Sequence, residues 1–529
     1  MARPSFCFAV SATSLLAGAC LLASGPAPQT KPGLDLSEYR TVATAKTATV
    51  AKKASAGPGQ TGYLGVAVER DAQGRLVVDD VQPGSPGDKA GIKKGDLVTR
   101  VGDHAVSSAQ GFREWLQSYN AGDAVKIGLV REDKALEVTA TLAATSRPMT
   151  PGTGGGKGGG KGAPALALWQ KPVFRFAVIG IEFSDVKHNA KVSTKDWEDA
   201  LFSTGTYVSK KSATGQRVFG SLNDYFREQS AGTFHLEGQM FEWVDVGKKR
   251  GDYIQGSGTS NKTAVLTDAL AKVVARDGKD AFKGCDGFFF LYAGEVYRTN
   301  AGAVYYPHAG GVQHDGSRWP YLIGVEGGPQ MTPVGGFAKL TGLILGLPNL
   351  AARTEDVGSR GLGAWCALSN PLTEGRPQHF CAWAKEKIGW IQPAVIDPTV
   401  KQKLLLSPIE DSPKECFKVL VRPNGSEYLL LENRRKKGFD KDLPGEGLLI
   451  WRVVNGRPSL CESHGVEGPS GPLVHLHAVP FPSDYNTAFT PETTPSSRSP
   501  LGGGLPVHIT EIRRLDDGGI AFSIGYEYR

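Results

Sequence analysis

The sequence predicts a multidomain protein: a small, β-rich, partly open barrel, then an α/β (α+β) core, then a C-terminal β-rich domain. The chain has 529 residues, of which 40% are apolar and 21% charged, enough for two or three separately cored domains. Residues 146–165 are rich in glycine and have almost no apolar side chains to bury, which predicts a flexible linker. Residues 397–529 contain many short alternating apolar runs and turns, as β-rich domains do.

An export signal is predicted at residues 1–25. Arg3 provides a short positive region, an apolar core runs from about Phe6 to Ala23, and small residues follow. A transmembrane anchor is the competing interpretation, but Ser, Thr and Gly dilute the apolar stretch. The residues around Cys20 loosely resemble a bacterial lipobox, so contact with a membrane is expected only if Cys20 is lipidated. Residues 26–58 lack apolar periodicity and are predicted to be a flexible stalk.

Charge and cysteine content further restrict the classes of protein that fit this sequence. The net charge of +7 is modest, and no long Lys/Arg run or mixed basic and aromatic pattern indicates binding to nucleic acid. Five cysteines follow Cys7 and Cys20, with no C-x-x-C pair among them. Oxidation outside the cytoplasm could pair four of the five, with partners that the sequence does not identify. The five are Cys285, Cys366, Cys381, Cys416 and Cys461.

Residues 59–145 have the pattern of a small barrel. Strands are predicted at 62–68, 76–81, 124–130 and 136–142, with a helix over 107–119. Between them, PGSPGDKAGIKKGDLVTRVG at 83–102 closely resembles the signature of PDZ domains, especially those of HtrA-type secreted proteases. The serine protease domain of HtrA proteins has no counterpart here, because no G-x-S-x-G or GDSGG nucleophile turn occurs in the sequence.

The PDZ resemblance implies recognition of polypeptide C-termini or extended peptides. In PDZ domains the tetrapeptide matched by residues 63–66 turns its backbone amides toward the ligand carboxylate, and the ligand adds as a strand beside the segment that follows. Phe112, Leu116 and Val66 are the candidates for side-chain pockets, with core packing as the alternative for Phe112 and Leu116. The complete set of peptide-binding candidates is Tyr63, Leu64, Gly65, Val66, Phe112 and Leu116.

Residues 166–396 contain a second resemblance. The segments SLNDYFREQSAGTFHLEG at 221–238 and HFCAWAKEKIGWIQP at 379–393 resemble the immune inhibitor A family of secreted zinc peptidases, and EYLLLENR with LPGEGLLIW continues the likeness beyond residue 426. The resemblance implies a metzincin-like peptidase core with a packed β-rich domain at 397–529.

The zinc motif of that family is degenerate in this sequence. Lys339 and Leu343 stand at the two histidine positions of H-E-x-x-H, and Leu340 stands at the glutamate position. Asn349 replaces a further acidic residue. Leucine has no lone pair to donate, an ammonium group repels a dication, and no carboxylate is left to activate water. No cofactor is therefore expected, although the family implies zinc.

Two other arrangements could support chemistry. Cys366 and His379 could pair as thiol and imidazole, although a structural role is the more common one for such residues. A displaced metal site could use four histidines, two of them on an apparent alternating strand near residue 475, where strand packing is the simpler interpretation. These are His308, His314, His475 and His477.

The sequence therefore predicts an exported, peptide-binding protein that joins a PDZ domain to a catalytically inactive peptidase-type domain. It would be periplasmic, at the cell surface or secreted. An active zinc metalloendopeptidase with displaced ligands and a structural cell-surface scaffold are the alternatives.

Overall fold

The computed structural model divides into two compact units, residues 1–38 and 39–529. It describes residues 34–48, 62–144 except 103 and several positions from 107 to 120, 167–253, 262–299, 302–304, 307–351, 362–371, 375–466 and 475–525. The predicted signal and Gly-rich linker lie outside these ranges. In the first unit, the described residues end in a turn in which the Ser37 amide bonds to Asp35 Oδ1 at 2.9 Å. No helix within the described ranges has the length and apolar character needed to span a membrane.

The first part of the second unit is a small β-sheet structure. In chain order its strands are β1 (Tyr39–Arg40), β2 (Gly62–Tyr63), β3 (Val66–Arg70), β4 (Leu76–Val81), β5 (Leu97–Val101), β6 (His104–Ala105), β7 (Ala124–Arg131), β8 (Lys134–Thr141) and β9 (Ala143–Ala144). Strands β3, β4, β5, β7 and β8 form an antiparallel sheet in that order, β6 pairs with β5, and β2 pairs with β9. Within the predicted helix over 107–119, the described residues Ala109, Phe112, Trp115 and Leu116 have helical backbone and Tyr119 lies in a bend. Phe112, Trp115 and Leu116 are buried.

Local chemistry explains why the signature segment at 83–102 folds as it does. Ser85 caps the short helix α1 (Pro86–Lys89) through its side chain, and Pro86 begins the helix, where its missing N–H costs nothing. Asp96 is 1% exposed and receives Arg131 Nε and Nη2 at 2.6 and 2.7 Å, so a two-point ion pair joins this segment to β7.

The second part is built on a mixed five-stranded sheet. Its strands are β10 (Val173–Glu182), β13 (His235–Asp245), β14 (Gly287–Tyr292), β17 (His308–His314) and β18 (Ser317–Val325), in the order β13-β10-β14-β18-β17, with β17 the antiparallel edge. Two hairpins accompany it, β11 (Val208–Lys211) with β12 (Arg217–Phe219), and β15 (Tyr297–Thr299) with β16 (Gly302–Val304). The helices are α2 (Thr194–Phe202), α3 (Leu222–Gln229), α4 (Lys262–Asp277), α5 (Gly335–Ile344) and α6 (Ala382–Lys387).

Helices cover both faces of this sheet, so its central strands are apolar on both sides. β10 is buried along most of its length and β14 along all of it, as expected for parallel strands between two layers. Helix α4 packs on one face, with Val265, Leu266 and Val273 in one core, whereas α2, α3 and α5 share the core of the other face. Helix α5, which carries the positions that the sequence analysis compares with a zinc motif, is therefore a core element.

The C-terminal part is β-rich, as predicted. Its strands are β19 (Ala394–Ile396), β20 (Gln402–Leu406), β21 (Phe417–Leu420), β22 (Glu427–Arg434), β23 (Gly447–Val454), β24 (Arg457–Cys461), β25 (Ile509–Arg514) and β26 (Ile520–Ile524). One sheet has the order β19-β21-β22-β23-β24, and the other has the order β1-β20-β26-β25. Short 3-10 helices occur at Arg250–Tyr253, Gly363–Trp365, Gly438–Asp442 and Leu476–Ala478. The last of these corrects the strand predicted around residue 475.

Part of the predicted stalk is fixed to the C-terminal sheet. β1 pairs in parallel with β20, and the backbone of Lys46 exchanges hydrogen bonds with the Gln402 side chain at 2.9 and 3.2 Å. Val42 and Ala45 pack against the core between the two C-terminal sheets. Residues 39–48 therefore differ from the flexible segment expected there.

Candidate functional site

The predicted carboxylate-binding loop contains a glycine that no other residue could replace without strain. Gly65 has φ +76°, and a Cβ built there would lie 2.2 Å from Ser85 Cβ. The carbonyl oxygens of Leu64 and Gly65 accept hydrogen bonds from the amides of Gly87 and Gln82, at 2.8 and 2.9 Å. These bonds hold the loop against the signature segment.

The strand after this loop lies at an edge of its sheet. β3 has β4 as its one neighbour among the described strands, and Val66 and Val68 are half-buried. Phe112 and Leu116 are 1% and 8% exposed and belong to the same core cluster as Leu64. The structure thus places the six candidates close to one another. Phe112 and Leu116 are more deeply buried than residues that line an open pocket.

The α5 positions that the sequence analysis compares with a zinc motif have two hydrocarbon side chains and one amine. Lys339 Nζ donates to the carbonyl oxygen of Ser369 at 2.8 Å, and burial lowers the pKa of Lys339. Leu340 is 7% exposed and Leu343 packs partly buried against the core. Asn349 is exposed, and its Oδ1 accepts the amide of Ala351 at 3.0 Å, which closes a turn.

A cavity opens at the amino end of α5. About 380 Å³ of empty space lies between the β11–β12 hairpin and the residues just before the helix, and Tyr207, Phe219, Met331 and Val334 line it. Burial raises the pKa of Tyr207 to about 12, and its hydroxyl lies 4.0 Å from the Met331 sulfur. The cavity therefore combines an apolar wall with polar side chains, which besides Tyr207 are Ser212, Gln216, Arg217 and Thr332.

Cys366 and His379 do not form a thiol and imidazole pair. The Cys366 sulfur accepts the backbone amide of Cys381 at 3.3 Å. His379 Nε2 instead bonds to Glu228 Oε1 at 2.9 Å, and its Nδ1 lies 3.3 Å from Lys385 Nζ. The imidazole is thus part of a buried polar network.

That network is the principal polar feature that the sequence analysis missed. It joins α3, α6, β22 and the 3-10 helix at 438–442, which are far apart in the chain. Its members, all but Glu228 fully or almost fully buried, are Glu228, His379, Lys385, Glu410, Glu432, Arg434 and Asp440. The one available signal was local: charged residues follow directly on the apolar run of β22.

The four histidines considered for a displaced metal site are not assembled. His308 Nε2 bonds to Tyr321 Oη at 2.9 Å, and His314 packs edge-on against Phe282. His475 contacts Tyr485, with its Nδ1 3.2 Å from the phenol oxygen. Across the described part of the chain, no group of three or more His, Cys, Asp or Glu side chains is placed to hold a metal ion.

Comparison with known proteins gives the class of the first part. A PDZ domain family model matches residues 62–142. The serine protease Do-like HtrA of Lactococcus lactis subsp. cremoris is 40% identical over 70 residues, 13% of this chain and 17% of that protein. The periplasmic serine endoprotease DegP of Salmonella typhimurium is 36% identical over 84 residues, 16% of this chain and 18% of DegP. This chain thus spans less than a fifth of either relative.

Solved structures match the same small share. The HtrA-type protease AlgW with decapeptide is 19% identical, with a TM-score of 0.16, over 17% of this chain and 31% of that one. The serine endoprotease from Yersinia pestis is 22% identical, with a TM-score of 0.15, over 16% of this chain and 30% of that one.

A second family model identifies the part that follows. The catalytic domain of the immune inhibitor A peptidase M6 family matches residues 172–284. The chain therefore contains a PDZ domain followed by an immune inhibitor A peptidase M6 domain. The matched range ends ahead of α5.

Zinc, which the M6 family implies, does not fit the side chains that α5 presents. Zinc is bound by imidazole, thiolate or carboxylate groups, and the positions at 339, 340 and 343 offer an amine and two hydrocarbon groups. The Lys339 amine is already engaged with a backbone carbonyl.

Proposed function

We propose that this is an exported protein that binds the carboxyl ends of polypeptides through its PDZ domain and keeps a peptidase fold without peptidase activity. The proposed domains are a signal at 1–25, a PDZ domain at 59–145, a peptidase-type domain at 166–396 and a β-rich domain at 397–529. Export is supported by the predicted signal and by relatives named as periplasmic endoproteases.

The proposal that the domain lacks peptidase activity rests on the side chains of α5. The resemblance within 335–350 assigns Lys339, Leu340 and Leu343 to the positions that hold zinc and the general base in active relatives. A peptide bond is cleaved by such enzymes through a metal-activated water, and these three side chains neither bind the metal nor take a proton from that water. The domain is then a polypeptide-binding or supporting element.

Metal content and hydrolysis test this part. Purified protein dialysed against zinc is expected to hold far less than one zinc per chain and to leave casein intact. Because a ligand that binds the folded state raises its stability, the melting temperature is also expected to be equal in zinc and in EDTA. Stoichiometric zinc with chelator-sensitive hydrolysis would show that displaced ligands support an active enzyme.

The PDZ part rests on the Gly65 loop and the open edge of β3. An extended peptide can add to that edge through main-chain hydrogen bonds. The carbonyl groups of Leu64 and Gly65 already accept hydrogen bonds within the protein. The amides of the loop are therefore the groups that it offers to a carboxylate. The apolar Val66 and Val68 beside the edge favour an apolar ligand end.

Two glycines with the same backbone conformation allow a matched test. Gly65 and Gly74 have φ +76° and +77°, but a Cβ at Gly74 meets nothing within 4 Å. We expect G65V to weaken binding to a C-terminal peptide library by roughly tenfold or more and G74V to leave it unchanged. Amidating the peptide carboxyl group should abolish binding to the unaltered protein. Equal binding by amidated and free peptides would contradict recognition of the carboxylate, whatever the stability of the variants.

A further inference from the structure

The segment beneath α5 contains two cysteines in mutual contact. Cys366 follows the 3-10 helix Gly363–Trp365, and Cys381 is the residue directly before α6. Both are 0% exposed, the Cys381 amide donates to Cys366 Sγ at 3.3 Å, and the two thiol groups are within hydrogen-bonding reach of each other.

The other three cysteines that the structure describes lack such a partner. Cys416 directs its thiol to the carbonyl of Phe417 at 3.6 Å, Cys461 is near Arg452, and Cys285 is half-buried near Asp286. Of the pairings that five cysteines allow, the geometry thus selects a single one.

We propose that Cys366 and Cys381 are joined by a disulfide bond in the exported protein. The bond forms by exchange with an incoming protein disulfide: each thiol gives up its proton, the two sulfurs bond, and two electrons reduce the incoming disulfide to a dithiol. Since both side chains are fully buried in the finished fold, the exchange takes place during folding. The pairing presupposes the proposed export, because cytoplasmic thiols are kept reduced.

The bond would fix the segment between Cys366 and Cys381, which packs against α5, the helix proposed to lack metal ligands. The segment between the two cysteines contains Leu368, which with Phe380 packs so closely on Gly342 of α5 that a Cβ there would meet each at 2.7 Å. It also contains Ser369, whose carbonyl holds Lys339. A disulfide at the two ends of this segment would hold the segment against α5. In the family, a metal ion bound by this helix provides such a link.

The thiol state is determined by mapping alkylated peptides. The chain is directed to a bacterial periplasm, purified, and unfolded in an alkylating reagent without reductant, then digested for mass spectrometry. The proposal predicts a linked peptide pair containing Cys366 and Cys381, lighter by two hydrogen atoms than the two free peptides, with Cys285, Cys416 and Cys461 alkylated. Complete alkylation of Cys366 and Cys381 would overturn it, as would either residue linked to another cysteine.

Stability measurements give a second, independent result. C366S, C381S and the double variant should share the same fall in melting temperature, on the order of 5 °C, because each removes the same bond. Reductant should lower the unaltered protein to that level and leave the variants unchanged. C416S, at an equally buried cysteine, should keep its response to reductant. A fall under reductant that persists in C366S would overturn the proposal. Neither measurement depends on peptide binding or on zinc, so it can fail while the proposed function holds.

Discussion

Three buried acidic side chains share one guanidinium at the junction of the peptidase-type and β-rich parts. Arg434 Nε donates to Asp440 at 2.8 Å, while Glu432 and Glu410 lie 3.4 and 3.6 Å from the guanidinium. Burial disfavours the charge on Asp440, but the nearby Arg434 holds the pKa of that carboxyl far below its usual range. Burial, together with repulsion from Asp440, raises the pKa of Glu410 to about 9. Glu410 is therefore protonated at neutral pH.

This protonation makes stability depend on pH in a particular direction. Between about pH 5 and pH 9 the unfolded chain has released the Glu410 proton and the folded chain has kept it, so the free energy of unfolding falls as pH rises. E410Q, which keeps a neutral side chain, should remove this part of the slope and be more stable than the unaltered protein near pH 8, by about 2–4 kcal/mol. Urea unfolding at several pH values measures the difference.

The control for this prediction is an exposed glutamate in the same part of the chain. Glu492 is 66% exposed beside Arg498, and E492Q should leave the pH dependence of unfolding unchanged. If E410Q and the unaltered protein had parallel stability curves from about pH 5 to about pH 9, Glu410 would be ionised in the folded state and the assignment would be wrong.

Local sequence patterns predicted the helices and strands in which the spacing of apolar residues matches the residues that the fold buries. The apolar run at 173–182 is typical of a buried strand and folds as β10, and the apolar periodicity from Val265 to Val273 is typical of a helix and lies in α4. The alternating run near residue 475 misled the prediction, because it folds as a 3-10 helix at Leu476–Ala478. There the alternation of apolar residues reflects neighbours from elsewhere in the fold, which a local pattern does not contain.

The site was predictable to the extent that it depends on short segments. The glycine before the strand at 66–68 is typical of a turn, and the structure has a turn there with Gly65 at φ +76°. The side-chain types on α5 could be read directly, but the bond from Lys339 to the Ser369 carbonyl could not, because the partner follows 30 residues later. The network around Arg434 was missed for the same reason: Glu228 and Asp440, which both contact His379, are 212 positions apart in the sequence (440 − 228).

At the scale of the whole molecule, the sequence predicted the order and class of the parts and missed one long-range connection. β1 pairs with β20 across more than 350 residues, so the segment before the PDZ domain is bound to the sheet that ends the chain. A two-residue strand has little pattern of its own, and parallel pairing over such a separation leaves no local signal. Of the residues before the PDZ domain, those at 39–48 are therefore held against the C-terminal sheet.

Adjacent residues in this segment allow its docking to be tested. Val42 packs against the C-terminal core, and Ala43 is exposed. An unpaired carboxylate in a partly buried apolar contact is costly, so V42D should release the segment. A43D adds the same carboxylate at an exposed position and should leave the segment in place. Release would open the β1 side of β20, and amide exchange of Gln402–Leu406 should then be faster by about tenfold or more, since every 1.4 kcal/mol of lost docking energy is a factor of about 10. Exchange in β7 and β8 should not change.

Equal exchange of β20 in both variants would mean that residues 39–48 do not protect this edge in solution, and the segment would act as the flexible stalk that its composition predicts.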